Sequence, residues 1–297
     1  MTLGNEIRTS FSGKEHLLRL MLINTALFLF FAAIKLFSFL GLPISARQIG
    51  EWVELPANLG QLIQKPWTLF TYMFIHYNFV HVLFNLLVMY WTGRIFSDFL
   101  PQKKLTAAYV LGGIAGGIAF VAMYNIIPAF ESAGSTTVLI GASAGVFAVM
   151  VAAATLAPDF PVHMILIGEI RLKYVAIALT ILYLISIPDS NSGGNIAHLG
   201  GGLAGLFYIL MLRKGFDAGK WVEFLIDLPS WFNRPKIRVA HSREVKIGVS
   251  QKTNNRNRQE VIDAILDKIS RSGYESLSQQ EKETLFRASG EQTDNKQ

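Results

Sequence analysis

The sequence predicts an all-α, polytopic membrane protein: a six-helix bundle followed by a small helical cytoplasmic C-terminal region. Of the 297 residues, 51% are hydrophobic and only 16% are charged, whereas soluble domains carry about 25% charged residues. The mean hydropathy is +0.36. Six long apolar stretches follow one another along the chain, which is typical of helices that cross a bilayer.

Each apolar stretch is interpreted as one helix of the bundle. The first, residues 17–40, is too long for a signal peptide and has no small-x-small cleavage site after it, so we expect a retained helix. Crossing the hydrocarbon core takes about 20 helical residues, and the shorter stretches therefore depend on packing within the bundle. All six offer too little polar face for a large soluble helical core. The other five cover residues 78–96, 105–127, 139–157, 172–187 and 196–213.

Lys and Arg residues in the connecting segments indicate the orientation of the bundle. If the N-terminus is cytoplasmic, six spans make both termini cytoplasmic, and the second, fourth and sixth helices run from outside to inside. Before the tail is counted, the cytoplasmic segments then hold Arg8, Lys14, Arg94, Lys103, Lys104, Arg171 and Lys173, and the external segments hold Arg47 and Lys65.

Four polar residues fall near the external ends of these helices. His81 and Asn85 lie near the start of the second helix, Ser143 near the start of the fourth, and His198 near the start of the sixth. His81 and Asn85 are four residues apart and share one helix face. Strongly polar groups within a membrane usually face the bundle interior or a water cavity. We therefore expect the four side chains to meet at one depth.

The chemistry of these residue types suits a serine hydrolase. Ser143 needs a base to become a nucleophile, and His198 can take its proton and later return it to the leaving amine. The side chains of His81 and Asn85, with the backbone N–H of Ser143, can stabilise an oxyanion. The nearest carboxylate in sequence, Asp189, lies in a loop, so a Ser–His dyad is favoured over a triad.

Small residues surround the proposed nucleophile and recur beside the proposed base. Gly141 and Gly145 flank Ser143, and Gly201 and Gly205 follow His198 with small-xxx-small spacing. That spacing lets membrane helices approach closely, and it would bring the fourth and sixth helices together. We expect a structural role for these four glycines at the site.

Three motifs in this order resemble the rhomboid family of intramembrane serine proteases. The resemblance covers about residues 17–213 and implies a rhomboid-like six-helix bundle that cleaves transmembrane substrates with a Ser–His dyad. One position departs from the family's usual Gly-x-Ser-Gly, because Ala144 occupies the last place. The motifs are His76, His81 and Asn85 in the second helix, Gly141-Ala142-Ser143-Ala144 at the fourth, and His198, Gly201 and Gly205 at the sixth.

The resemblance also implies roles for individual residues. Ser143 would be the nucleophile and His198 the base, His81 and Asn85 would stabilise the oxyanion, and His76 would have a structural hydrogen-bonding role. We expect a multi-pass protein of a bacterial cytoplasmic membrane. Its partners would be transmembrane substrate proteins and the bilayer, with no nucleic acid and no cofactor.

Other functions are weighed against this one. A catalytically inactive rhomboid-like protein that binds transmembrane clients is the main alternative, although both Ser143 and His198 are present. A small transporter would show charged pairs or broken half-helices at mid-membrane, and the sequence shows neither. A metal site at His76, His81 and Asn85 is disfavoured, because the two histidines are five residues apart and no carboxylate lies close by.

The domain boundaries follow the change in composition. We expect a cytoplasmic N-terminal segment over 1–16, the protease domain over 17–213, a basic juxtamembrane linker over 214–258, a small helical hairpin over 259–289 and a disordered end over 290–297. Residues 231–258 contain eight basic residues and one acidic residue. Such a segment either contacts anionic lipid or remains a solvated linker.

The hairpin is predicted from its helix signals. Val261, Ile265 and Ile269 lie on one helix face, and Gly273 is a typical helix stop. Ser278 followed by Glu281 indicates a capping box at the start of a second short helix. Leu285 and Phe286 on that helix could pack over the first.

Overall fold

The computed structural model describes residues 16–43, 45–133, 136–164, 168–189, 191–232 and 249–285. The chain divides into two compact units, Met1–Phe232 and Asn233–Gln297. The first unit contains the apolar helices, and the second is a small helical region.

The described part of the first unit contains six apolar helices. Four of them are long and apolar enough to cross a membrane, and two shorter apolar helices have 14 residues each. The all-α multi-pass membrane fold is thereby confirmed. The long helices are α1 (His16–Phe39), α5 (Phe79–Phe99), α6 (Gln102–Ile126) and α9 (Ser192–Arg213), and the short ones are α7 (Ser143–Leu156) and α8 (Leu172–Ile185).

Short elements fill the connections between the long helices. Between α1 and α5 the chain forms α2 (Ala46–Gly50), α3 (Leu59–Gln64) and α4 (Thr68–Thr71). Strand β1 (Leu55–Pro56) pairs antiparallel with β2 (Val138–Leu139), and β3 (Pro161–Met164) pairs with β4 (Gly168–Arg171). The β1–β2 pair joins the connection between α1 and α5 to the segment just before α7.

Helix α7 lies at the centre of the bundle, where it packs against α5, α6, α8 and α9. Nearly all of its residues from Ala144 to Ala154 are buried. Neighbouring helices approach it closely through glycine: a Cβ added at Gly112 of α6 or at Gly205 of α9 would overlap Ala148. The small-residue spacing thus serves close helix packing.

The length of α7 sets the depth of its first residue, Ser143. Arg213 Nη2 donates to the Thr155 carbonyl oxygen at 2.6 Å, so α7 and α9 end at the same level. Fourteen residues rise about 21 Å, whereas the 22 residues of α9 rise about 33 Å. The start of α7 therefore lies about 12 Å deeper than the start of α9, close to the level of His198.

Helix α10 (Lys220–Phe232) belongs to the first unit, whereas the sequence predicts a linker over 214–258. Its Val222 is buried, and Asp227 accepts hydrogen bonds from Lys103 at 2.7 Å. Lys104 pairs with Asp217 and, at 2.6 Å, with Glu223. These contacts extend the folded unit from Arg213 to Phe232.

The carboxyl group of Asp217 is ionised through these contacts. Burial opposes its ionisation, but hydrogen bonds from Lys104 Nζ and from the Gly219 N–H outweigh burial and lower the pKa of this carboxyl. The ion pair therefore persists at neutral pH. It fixes the start of α6 to the segment that follows α9.

The second unit contains α11 (Val249–Ser272) and a short helix over 279–285. The predicted capping box is confirmed: the Ser278 N–H donates to Glu281 Oε2 at 2.7 Å, and the Glu281 N–H donates to Ser278 Oγ at 3.4 Å. Hydrogen bonds from Lys268 and Ser278 lower the pKa of Glu281 to about 2. Gly273 ends α11 with a φ of +76°.

The start of α11 differs from the sequence prediction. The helix begins at Val249, ahead of the predicted hairpin boundary at 259. Once an apolar stripe nucleates a helix, each further residue adds a hydrogen bond at little cost, so the helix extends into a polar segment. Phe286, the rest of the predicted hairpin and the predicted disordered end over 290–297 lie outside the described residues, as do 1–15 and 233–248 of the predicted N-terminal segment and linker.

Candidate active site

A tight turn precedes Ser143, which is the first residue of α7. Gly141 has a φ of +111°, a conformation that favours glycine, and its N–H donates to the Tyr72 carbonyl oxygen at 3.0 Å. A Cβ added at Gly141 would lie 2.8 Å from His81 Cε1. The turn leaves the first backbone N–H groups of α7, including that of Ser143, without a partner within the helix.

His198 meets Ser143 across the contact between α7 and α9. Its Nε2 lies 2.6 Å from Ser143 Oγ, within hydrogen-bond distance. One turn further along α9, a Cβ added at Gly201 would overlap the Ala144 carbonyl oxygen, so glycine is needed for this approach. The expectation that α7 and α9 bring the two residues together agrees with the structure.

An aromatic ring and not a carboxylate contacts the other side of His198. The rings of Tyr183 and His198 lie 4.3 Å apart between centroids, tilted by 51°. Among the described residues, none forms a hydrogen bond with His198 Nδ1. Ser143 and His198 therefore have the geometry of a catalytic dyad. No sequence pattern predicts Tyr183 at this site, because its position depends on how α8 packs beside α9.

His76 supports the turn before Ser143. This fully buried residue accepts the Ala142 N–H at its Nε2, at 3.2 Å. Asn85 Nδ2 donates to the His81 carbonyl oxygen at 2.9 Å and lies 3.5 Å from His76 Nε2. The hydrogen bond to Ala142 fits the structural role expected for His76. It also places the proton of a neutral His76 on Nδ1.

A cavity of about 400 Å³ borders the Ser–His pair. His81, Ser143 and His198 line it together, whereas Asn85 is buried and is not part of the lining. The structure thus brings three of the four predicted polar residues to one cavity and leaves the fourth outside its lining. The other lining residues are Phe120, Tyr124, Thr137, Val138, Leu139, Ile140, Asn191, Gly193 and Gly194.

Ala144, which replaces the family's usual glycine, is accommodated between helices. It is 1% exposed, and a Cβ added at Gly116 of α6 would lie 2.6 Å from the Ala144 methyl carbon. Gly145 is also closely packed against α6, because a Cβ added there would lie 2.7 Å from the Tyr109 carbonyl oxygen. The methyl group of Ala144 therefore occupies space beside α6, and Ala144 is not part of the cavity lining.

The described residues contain no group of three or more His, Asp or Glu side chains that could hold a metal ion, and the chain has no Cys. His76 and His81 approach each other, with ring centroids 5.1 Å apart. The polar groups nearest to His76 Nε2 are the Asn85 amide nitrogen and the Ala142 backbone N–H, neither of which is a typical metal ligand.

The fold and site define a multi-pass helical membrane protein with a serine and a histidine paired inside its bundle. A family model described as the Rhomboid domain matches residues 64–215. The chain belongs to the rhomboid family. A second model, described as a family of unknown function (DUF6576), matches residues 250–291, which include most of α11 and the short helix after it. Among curated proteins, the comparison found no match.

Proposed function

We propose that this protein is an intramembrane serine endopeptidase that cleaves transmembrane proteins near the external face of the membrane. The observation that carries the proposal is the 2.6 Å contact between Ser143 Oγ and His198 Nε2 at the edge of a cavity. A nucleophile and a base within hydrogen-bond reach are the minimum for acyl transfer. Membership in the rhomboid family supports the same reaction.

The reaction is derived from the dyad. His198 Nε2 removes the Ser143 hydroxyl proton as Oγ attacks the scissile carbonyl carbon, and the C–N bond then breaks as the same proton passes to the leaving amine. Water, deprotonated by His198, hydrolyses the acyl-enzyme and restores the Ser143 hydroxyl. The Tyr183 ring and the packing of α7 against α9 hold the imidazole in place during both steps.

The oxyanion is stabilised at the N-terminal end of α7. The Ser143 N–H and the His81 ring, which lines the same cavity as Ser143, are the donors assigned to the oxyanion. Asn85 acts through His81. Its amide has two N–H groups, and one of them already donates to the His81 carbonyl oxygen. Asn85 therefore positions His81, and its second N–H can join the donor set only by giving up its 3.5 Å contact with His76 Nε2.

Replacing His81 by Ala tests this assignment. We expect kcat for a transmembrane reporter to fall about 10²-fold, because one oxyanion donor is lost, while labelling of Ser143 by a small probe persists. His163, an exposed histidine in β3 with a side chain 78% exposed, is the matched control, and His163→Ala should cleave at the wild-type rate. Retention of more than about half of the activity in His81→Ala would exclude a donor role.

The proposed location is a bacterial cytoplasmic membrane with both termini in the cytoplasm. One end of the bundle gathers basic residues, since Lys103, Lys104 and Arg213 all lie there with their partners. This asymmetry supports the proposed orientation and directs the Ser143 cavity to the external side. Substrates would be transmembrane proteins whose helices unwind near that face. Anionic-lipid contact by 231–258 remains a prediction.

A fluorophosphonate probe separates the protease from an inactive client-binding protein. In detergent, the full chain should become covalently labelled, with the adduct on Ser143 by peptide mass spectrometry. Ser143→Ala should remove the label. If the folded protein were not labelled and also failed to cleave reporters, the inactive alternative would be favoured.

A further inference from the structure

A second cleft has His76 in its lining and shares no lining residue with the catalytic cavity. It has a volume of about 730 Å³ and opens between α1 and the connection that carries α2. This volume is in the range of sites for small organic ligands. One apolar wall runs along α1 and is completed by the first residue of α5; its side chains are Phe28, Phe31, Ala32, Leu36, Phe39 and Phe79.

The α1 wall of this cleft lies within a candidate membrane span. Helix α1 has 24 residues, so it rises about 36 Å, which exceeds the roughly 30 Å of hydrocarbon in a bilayer. The cleft residues occupy the second half of α1. At this depth no bulk water is present, and an open apolar cleft is filled by acyl chains.

Two basic side chains belong to the lining of this cleft. Lys35 lies one turn before the end of α1, about 6 Å below it, and no described residue forms an ion pair with it. Lysines at such positions extend their ammonium groups to the headgroups. Arg47 of α2 has a side chain 90% exposed, and its ion-pair partner Glu51 is 3.7 Å away. Both basic residues line the cleft.

A single lining carboxylate opposes them. Glu54 lines the cleft, and its Oε1 already accepts the hydroxyl hydrogen of Tyr77. An apolar wall along α1 combined with two basic side chains in the same lining matches an amphiphile with a negatively charged head. A substrate helix would need no such pair of cations.

We propose that this cleft binds one anionic glycerophospholipid of the phosphatidylglycerol type. One acyl chain would lie along α1, and the phosphate would lie between Lys35 and Arg47. Because the cleft also borders His76 and Tyr77, the lipid would pack against the segment that supports the turn before Ser143. Binding itself does not depend on the chemistry of Ser143.

Native mass spectrometry of the full chain in detergent tests the proposal, with equimolar phosphatidylglycerol and phosphatidylcholine added. Wild type should retain one phosphatidylglycerol molecule in preference. Lys35→Gln and Arg47→Gln should each weaken its binding about fivefold, and the double variant about 25-fold, as expected for one basic residue at a time near a headgroup. Lys65→Gln, which removes another external lysine, should bind as wild type does.

A steric variant tests the location independently of charge. Ala32→Trp would fill the cleft and should abolish retention of the lipid, whereas Ala33→Trp, at the next exposed position outside the lining, should retain it. Thermal unfolding would show that both variants are folded. Equal binding of the two lipids by wild type, or undiminished phosphatidylglycerol binding in the double variant, would overturn the proposal. Because the measurement involves no proteolysis, failure of the proposed enzyme activity would leave its outcome unaffected.

Discussion

Replacement of Ser143 by Ala is expected to lower kcat/KM for a transmembrane reporter by about 10⁴-fold or more. Ser143 Oγ is the hydroxyl that pairs with His198, and removal of a catalytic nucleophile has effects of this size in serine proteases. The bundle should remain folded, because Ser143 lies at a helix start and its side chain bonds only to His198 among the described residues. Cleavage in reconstituted vesicles and thermal unfolding in detergent measure the two effects.

His198→Ala and the double variant sharpen this test. If the two residues act as one unit, His198→Ala should lose about as much activity as Ser143→Ala, and the double variant should lose no more than either. Ser97→Ala is the control for loss of a serine hydroxyl, since Ser97 Oγ donates to the Gly93 carbonyl oxygen within α5, and it should cleave normally. Full activity in Ser143→Ala would refute the assignment of the nucleophile.

Helix direction was sufficient to predict that Ser143 and His198 lie close together, because each of them lies in an apolar stretch of readable direction. The membrane forces such stretches to be helices, so their order fixes which ends meet. Ser143 and His198 could therefore be paired from sequence. The predicted depth of these two residues was less accurate. His198 is the seventh residue of α9, and Ser143 lies at the same level because α7 is short.

Contacts between distant parts of the chain were missed. Helix α10 depends on Lys103 and Lys104, whose carboxylate partners lie more than a hundred residues later. A local sequence pattern cannot show such pairing, so the sequence predicts a linker where α10 forms. The β1–β2 pair and the Tyr183–His198 contact were missed for the same reason, because both are determined by packing in three dimensions.

Gly201→Ala is the second change for which we expect a large effect. A Cβ at this position would overlap the Ala144 carbonyl oxygen and lie 2.9 Å from its carbonyl carbon, so α9 must move away from α7 by about 1 Å. A displacement of this size at a catalytic pair can cost about 10²-fold in rate. Overpacking should also destabilise the bundle by about 1–3 kcal/mol. Reporter cleavage and thermal unfolding measure the two losses.

Two matched variants separate catalytic from structural effects. Leu203→Val places a β-branched residue on the exposed face of the same helix, where Leu203 is 56% exposed, and should change little. Gly205→Ala also meets backbone, at Ala148, but one turn further from His198. For similar losses of stability, Gly201→Ala should therefore lose more activity than Gly205→Ala. Equal activity in the two variants would mean that the spacing of α7 and α9 supports the bundle without setting the distance between Ser143 and His198.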